Sequence, residues 1–119
     1  MTTTPQAQWL SIPEVAEILD VRQREVRALL SDHYLAAARR GENRALMIPA
    51  VFLTTVDGYP APVESLRGTL VTLHDGGLSP DESVEWMLTE EPTLGRSPIQ
   101  ALLDGQVHAV RIAAGMLAI

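Results

Sequence analysis

Apolar residues recur at helical spacing from the tenth residue onward: Ile12, Val15, Ile18 and Leu19 share one face. Ser11 precedes this run and Glu14 follows it by three positions, the pattern of a capping box. Pro13 falls in the first turn, where a missing N–H does no harm. Ala16 is small enough to let a second helix cross closely. Asp20 then interrupts the period. A tight turn is expected there, with Asp20 in the left-handed region that Asp tolerates better than most residues, and with Val21 plugging the space beneath. Val26, Leu29 and Leu30 form the inner face of a second helix over about Gln23 to Ser31. Two helices joined this way make a helix-turn-helix.

Residues 35–48 change period. Leu35-Ala-Ala-Ala-Arg-Arg, Gly41-Glu-Asn and Arg44-Ala-Leu-Met-Ile predict two short strands around a turn, stopped by Pro49. Ala is a poor strand former, so the first strand has the weaker support. Ala50 to Thr55 is expected to be a short helical turn. Asp57-Gly-Tyr-Pro-Ala-Pro is read as a linker, because Pro60 and Pro62 forbid a continuous helix. A helix follows from Val63 to His74, with Leu66, Leu70, Val71 and Leu73 inward and Gly76-Gly77 ending it. Ser79, Pro80 and Glu82 open another, bearing Val84, Met87 and Leu88 with Trp86 alongside. Pro92 and Gly95 end it. Ser97-Pro98 starts a third over Ile99 to Leu103. Gly105 precedes a last one carrying Val107, Val110, Ala114 and Leu117. The expected fold is mainly α: a winged helix-turn-helix with a small hairpin wing, then a helical bundle. The expected division is a flexible tail at 1–8, the winged unit at 9–56, a linker at 57–62 and the helical domain at 63–119.

Charge sharpens this picture. The net charge of −6 argues against a polyanionic partner, but the charge is uneven. Residues 57–119 hold three Arg against nine acids, whereas residues 22–44 hold six Arg against Glu25, Asp32 and Glu42. Every basic side chain is Arg, the residue that forks onto phosphate and guanine edges, although a GC-rich genome gives the same bias. Arg22, Gln23, Arg24, Arg27, Ala28 and Ser31 fall on the outer face of the second helix. There Arg can bond guanine and Gln adenine in the major groove, while a merely solvated face, with Glu25 as ion-pair partner, has the same composition. Arg39, Arg40 and Arg44 cluster at the hairpin tip, where a wing touches phosphate or the minor groove; a charged hairpin edge that blocks aggregation looks alike.

Catalytic chemistry has no foothold in the pattern. Cysteine is absent, and His33, His74 and His108 make no i,i+4 ligand pair. His74-Asp75 and Glu90-Glu91 lack a paired nucleophile, and Gly76-Gly77 lacks the strand–loop–helix context of a phosphate cradle. No enzyme, metal or cofactor is expected. No apolar run approaches membrane-spanning length and no leader pattern is read, so a cytoplasmic protein with no membrane partner is expected.

Residues 9–54 resemble the winged helix-turn-helix of the MerR and excisionase-like group. The whole chain resembles an actinobacterial DNA-binding family whose mycobacterial member is a Ser/Thr protein kinase substrate, with a C-terminal helical domain of unknown role. The resemblance implies a DNA-binding protein and transcriptional regulator that contacts double-stranded DNA through Gln23, Arg24 and Arg27, with the wing arginines placed by the hairpin. It also makes the Thr2, Thr3 and Thr4 tail a candidate kinase target, where phosphate would repel DNA. Asp20 departs from the Gly often found in such turns. Ser97-Pro-Ile-Gln-Ala-Leu-Leu-Asp-Gly is similar to the C-terminal region of some Xre-type antitoxins. That leaves a second reading open: a protein-interaction module acting through the acidic helices. The last helix offers a homodimer contact, and a core role explains it equally well.

Overall fold

The computed structural model describes residues 8–117. Strand β1 (Trp9–Ser11) leads directly into helix α1 (Ile12–Leu19). The Ser11 backbone N–H donates to Glu14 Oε1 at 2.8 Å and the Glu14 N–H donates to Ser11 Oγ at 3.2 Å, so the expected capping box is made. The bond from the Ser11 backbone holds the Glu14 carboxyl below its ordinary pKa. Asp20 ends α1 at φ 58°, ψ 49°, the left-handed turn expected of it, and donates its N–H back to Ala16 and Glu17. Helix α2 covers Gln23–Ser31, as the periodicity predicts. Val26 on its inner side is completely buried. That burial stabilises the crossing by about 1.5–3 kcal/mol.

The wing consists of β2 (Ala38–Arg40) and β3 (Ala45–Pro49). It is shorter than expected at its start, because Leu35 and Ala37 pack into the core before pairing begins. Arg44 lies in the turn and not at the head of the second strand, at φ 52°. β3 is the central strand of a three-stranded antiparallel sheet in the order β1-β3-β2, with Leu10 opposite Ile48 and Arg39 opposite Leu46.

Residues 50–62 depart from expectation. A single 3-10 turn over Ala50–Phe52 is followed by a second hairpin, β4 (Leu53–Val56) and β5 (Tyr59–Pro62). The segment read as a linker is therefore the turn and second strand of this hairpin. Asp57 (φ 52°) and Gly58 (φ 85°) both take left-handed angles, as a two-residue turn closing right-twisted strands requires. Val63 donates its N–H to the Phe52 carbonyl at 2.8 Å. With that bond setting the alternation, Ala61 and Tyr59 face Thr54 and Val56 as the bonded pairs, and Pro60 and Pro62 fall at positions that need no N–H toward β4.

Four helices complete the fold: α3 (Leu66–Asp75), α4 (Pro80–Leu88), α5 (Pro98–Leu103) and α6 (Val107–Gly115). α3 starts three residues later than expected, since Val63 still belongs to the hairpin ladder. Gly77 (φ 98°) stops it while Leu78 donates its N–H to Leu73 O. Ser79 and Glu82 reproduce the capping box of α1, and the Ser79 backbone N–H holds the Glu82 carboxyl below its ordinary pKa. α3 and α6 approach closely at Gly68, where the Arg111 guanidinium occupies the space a Cβ would take. Arg96, ahead of α5, pairs with Asp104 at the C-terminal end of that helix. Leu117, expected on the inner stripe, stays exposed past the end of α6.

One core runs through both halves, from Val15, Val26 and Phe52 to Leu66, Leu73, Met87 and Val110. With six α-helices and two small antiparallel sheets among the described residues, the chain is mixed α/β and not mainly α.

Candidate nucleic-acid interface

α2 is held on its inner side by Val26 and at its C-terminal end by an arginine from the second half of the chain. Arg67 Nε donates to the Asp32 carbonyl at 2.9 Å, and its guanidinium lies 5.0 Å from the Tyr34 ring centre. A cation at that carbonyl complements the negative end of the helix dipole. The opposite end is open. Arg22 is the N-cap residue in an extended conformation, and no side chain caps the helix. Its first N–H groups and the Arg22 side chain lie at the positive end of the dipole, a favourable place for an anion.

The polar face of α2 is as the sequence predicts. Arg22, Gln23, Arg24, Arg27 and Ser31 are all exposed. None of the three arginines is in an ion pair among the described residues, where the single salt bridge is Arg96–Asp104. Glu25 is exposed on the first turn without pairing to them. The face is solvated, and the ion pair with Glu25 is not made among the described residues.

The wing arginines are exposed, and two of them, Arg39 and Arg40, are engaged. The Arg39 backbone N–H donates to Asp81 Oδ1 at 3.1 Å, joining β2 to the acidic first turn of α4. Its Nη1 donates to the Arg44 carbonyl at 3.0 Å, across the turn. Arg40 places its guanidinium 4.4 Å from the Trp9 ring centre, a cation–π contact that ties the outer strand β2 to β1. Arg44 has no contact of this kind among the described residues. Thr2, Thr3 and Thr4 lie outside the described residues.

Sequence reasoning passed over Arg67, Asp81 and Trp9. Their partners lie 35, 42 and 31 positions away (Asp32, Arg39 and Arg40), and no local spacing signals such pairs. No group of three or more potential metal ligands occurs among the described residues. No helix among them is long and apolar enough to cross a membrane.

Comparison with known proteins agrees with this geometry. Residues 3–53 match the family described as DNA-binding protein Rv2175c, wHTH domain, and residues 63–118 match the Rv2175c C-terminal domain of unknown function. The DNA-binding protein Rv2175c of Mycobacterium tuberculosis is 37% identical over 90 residues, which cover 76% of this chain and 58% of that protein. The chain thus spans less than two thirds of that relative's length. The NMR structure of Rv2175c superposes with a TM-score of 0.80 at 31% identity, over 100% of this chain and 86% of the solved chain. With both domain types in the same order and this agreement in fold, the chain belongs to the Rv2175c family.

Proposed function

We propose that this protein binds double-stranded DNA as a transcriptional regulator, with α2 in the major groove and the wing against the backbone. The observation that carries this reading is the outer face of α2: three arginines and Gln23, exposed and free of ion pairs among the described residues, on a helix fixed from behind by Val26 and Arg67. Arg24, Arg27 and Gln23 are suited to base edges; Arg22, Ser31 and the open helix N-terminus are suited to phosphate. The family name and the helix–turn–helix–wing order support the same assignment.

Binding is chiefly electrostatic in this reading. With about four to six phosphates neutralised, log K falls against log salt with a slope of about −4 to −5. Titrating a labelled duplex at several salt concentrations checks it, and a flat response sinks it. One winged unit supplies few contacts, so a homodimer or neighbouring copies would supply the remainder. Ile112 and Met116 on and after α6 are exposed apolar residues where a second copy could pack, and light scattering on the free protein measures that. The proposal extends to a Ser/Thr kinase acting on Thr2, Thr3 or Thr4, on the strength of the sequence and the resemblance. Replacing all three by Ala should leave DNA binding intact and abolish any kinase sensitivity.

A further inference from the structure

The C-terminal end of α2 is a Schellman turn built without glycine. Tyr34 donates its N–H to the Leu29 carbonyl at 2.9 Å and His33 donates its N–H to the Leu30 carbonyl at 3.3 Å, the paired bonds of that motif. His33 takes the left-handed position, at φ 66°. Glycine is the usual residue there, because a Cβ crowds the left-handed backbone. Tertiary contacts at this turn therefore matter more than they would around a glycine.

Helix α3 meets three consecutive residues of this turn. Arg67 Nε donates to the Asp32 carbonyl at 2.9 Å, a cation at the negative end of the α2 dipole. The same guanidinium lies 5.0 Å from the Tyr34 ring centre. Between them, the His33 ring centre is 4.7 Å from that of His74 and tilted by 41°. Arg67 and His74 are seven positions apart on α3, close to two helical turns, so they share one side of it. α3 is itself seated in the shared core through Leu66, Leu70 and Leu73. On α2, Val26 is the single fully buried side chain, with Leu29 and Leu30 half-buried toward the turn. One buried side chain fixes a point and not a direction; the turn held by α3 supplies the second point. The far end of α2 carries Arg22, Gln23 and Arg24 and has no side-chain cap. A tilt at the turn swings those residues. Base-edge hydrogen bonds fail over small displacements, whereas attraction to phosphate does not depend on such alignment.

We infer that α3 sets the direction of α2, with Arg67 and His74 as positioning residues for sequence discrimination, so that the C-terminal helices are a working part of the DNA reader. The effect on discrimination rests on the DNA reading proposed above; the positioning itself is measured on the free chain.

The test uses the full chain. On the free protein, residual dipolar couplings of the α2 amides give its direction relative to α3. Arg67→Leu should change that direction, and unchanged couplings overturn the inference whether or not the protein binds DNA. With DNA, the probes are the duplex that the wild type enriches from a random library and the same duplex with base pairs exchanged. Arg67→Leu should reduce the preference between them by about three- to tenfold, the worth of one hydrogen bond, with the salt slope unchanged. His33→Gly accepts φ 66° without crowding and should restore most of that preference when added to Arg67→Leu. If Arg67 touched phosphate itself, the slope would fall by about one and His33→Gly would restore nothing, and that result overturns the assignment. So does an equal loss on both duplexes, the mark of a merely weakened fold. His74→Ala should act in the same direction by about twofold, and carries the test if Arg67→Leu does not fold. A wild type that prefers no duplex sinks the DNA reading, and the couplings then decide the positioning alone.

Discussion

α2 and the wing each bring three arginines to the N-terminal half, and the two sets are held in different ways. On α2 the backbone is anchored and the guanidinium groups are free. Val26 and the Arg67 clamp fix the helix, while Arg22, Arg24 and Arg27 have no ion pair among the described residues. In the wing two of the three side chains, Arg39 and Arg40, do the anchoring themselves. Arg39 reaches the Arg44 carbonyl, which helps hold Arg44 at a φ that costs a non-glycine residue about 1–2 kcal/mol, and Arg40 covers Trp9. A side chain already committed to its own scaffold has less reach for a partner. On the proposed DNA reading, discrimination between sequences falls to α2 and sequence-independent positioning to the wing.

The sharpest way to break this comparison is to remove the free set. Arg24→Ala and Arg27→Ala should each cost about 1–3 kcal/mol of DNA affinity and relax sequence preference, as read in competition titrations against altered duplexes. A uniform loss across all sequences would move discrimination elsewhere. Arg40→Ala should cost less, weakening all duplexes alike and reducing the salt slope by about one. It should also lower the melting temperature slightly, because the contact with Trp9 goes with it. Asp81→Ala probes the acidic helix behind the wing. Loss of the bond to the Arg39 N–H loosens β2, while removal of one negative charge near the wing should raise affinity about two- to threefold at low salt and not at high salt. The smallest effect distinguishes capped from uncapped helices. The folded-state pKa values of Glu14 and Glu82 are depressed by the Ser11 and Ser79 backbone N–H groups, so their contribution is complete above the unfolded value near 4.5 and is lost as pH falls below it. Amide exchange followed through that acid window should show α1 and α4 fraying from their first turns, with the start of α2, which has no such cap, unchanged.

Much of the fold was legible because local hydrogen bonding enforces it. Ser11 with Glu14 and Ser79 with Glu82 satisfy free N–H groups three residues away, so the sequence spacing is itself the geometry. Asp20 and Gly77 mark helix ends because few residues accept a left-handed backbone. The second hairpin also left a local mark, since Asp57-Gly58 is a strong turn signal, but Pro60 and Pro62 outweighed it as breakers. Whether a proline fits a strand depends on which of its faces meets the neighbour, and only the pairing with β4 shows that. The outer face of α2 was legible as a set of residues, but not as a set free of salt bridges.

The amino-acid sequence alone determined the helix boundaries near their caps, the turn at Asp20 and the polar face of α2, because each rests on bonds or periodicities spanning three or four residues. Tertiary structure alone decided that β5 pairs through its prolines, that Arg67 clamps α2, that Asp81 holds the wing, and that His33 meets His74. Those contacts join residues some 30 to 40 positions apart, or depend on strand register. They come about only when the shared core brings the two halves of the chain together.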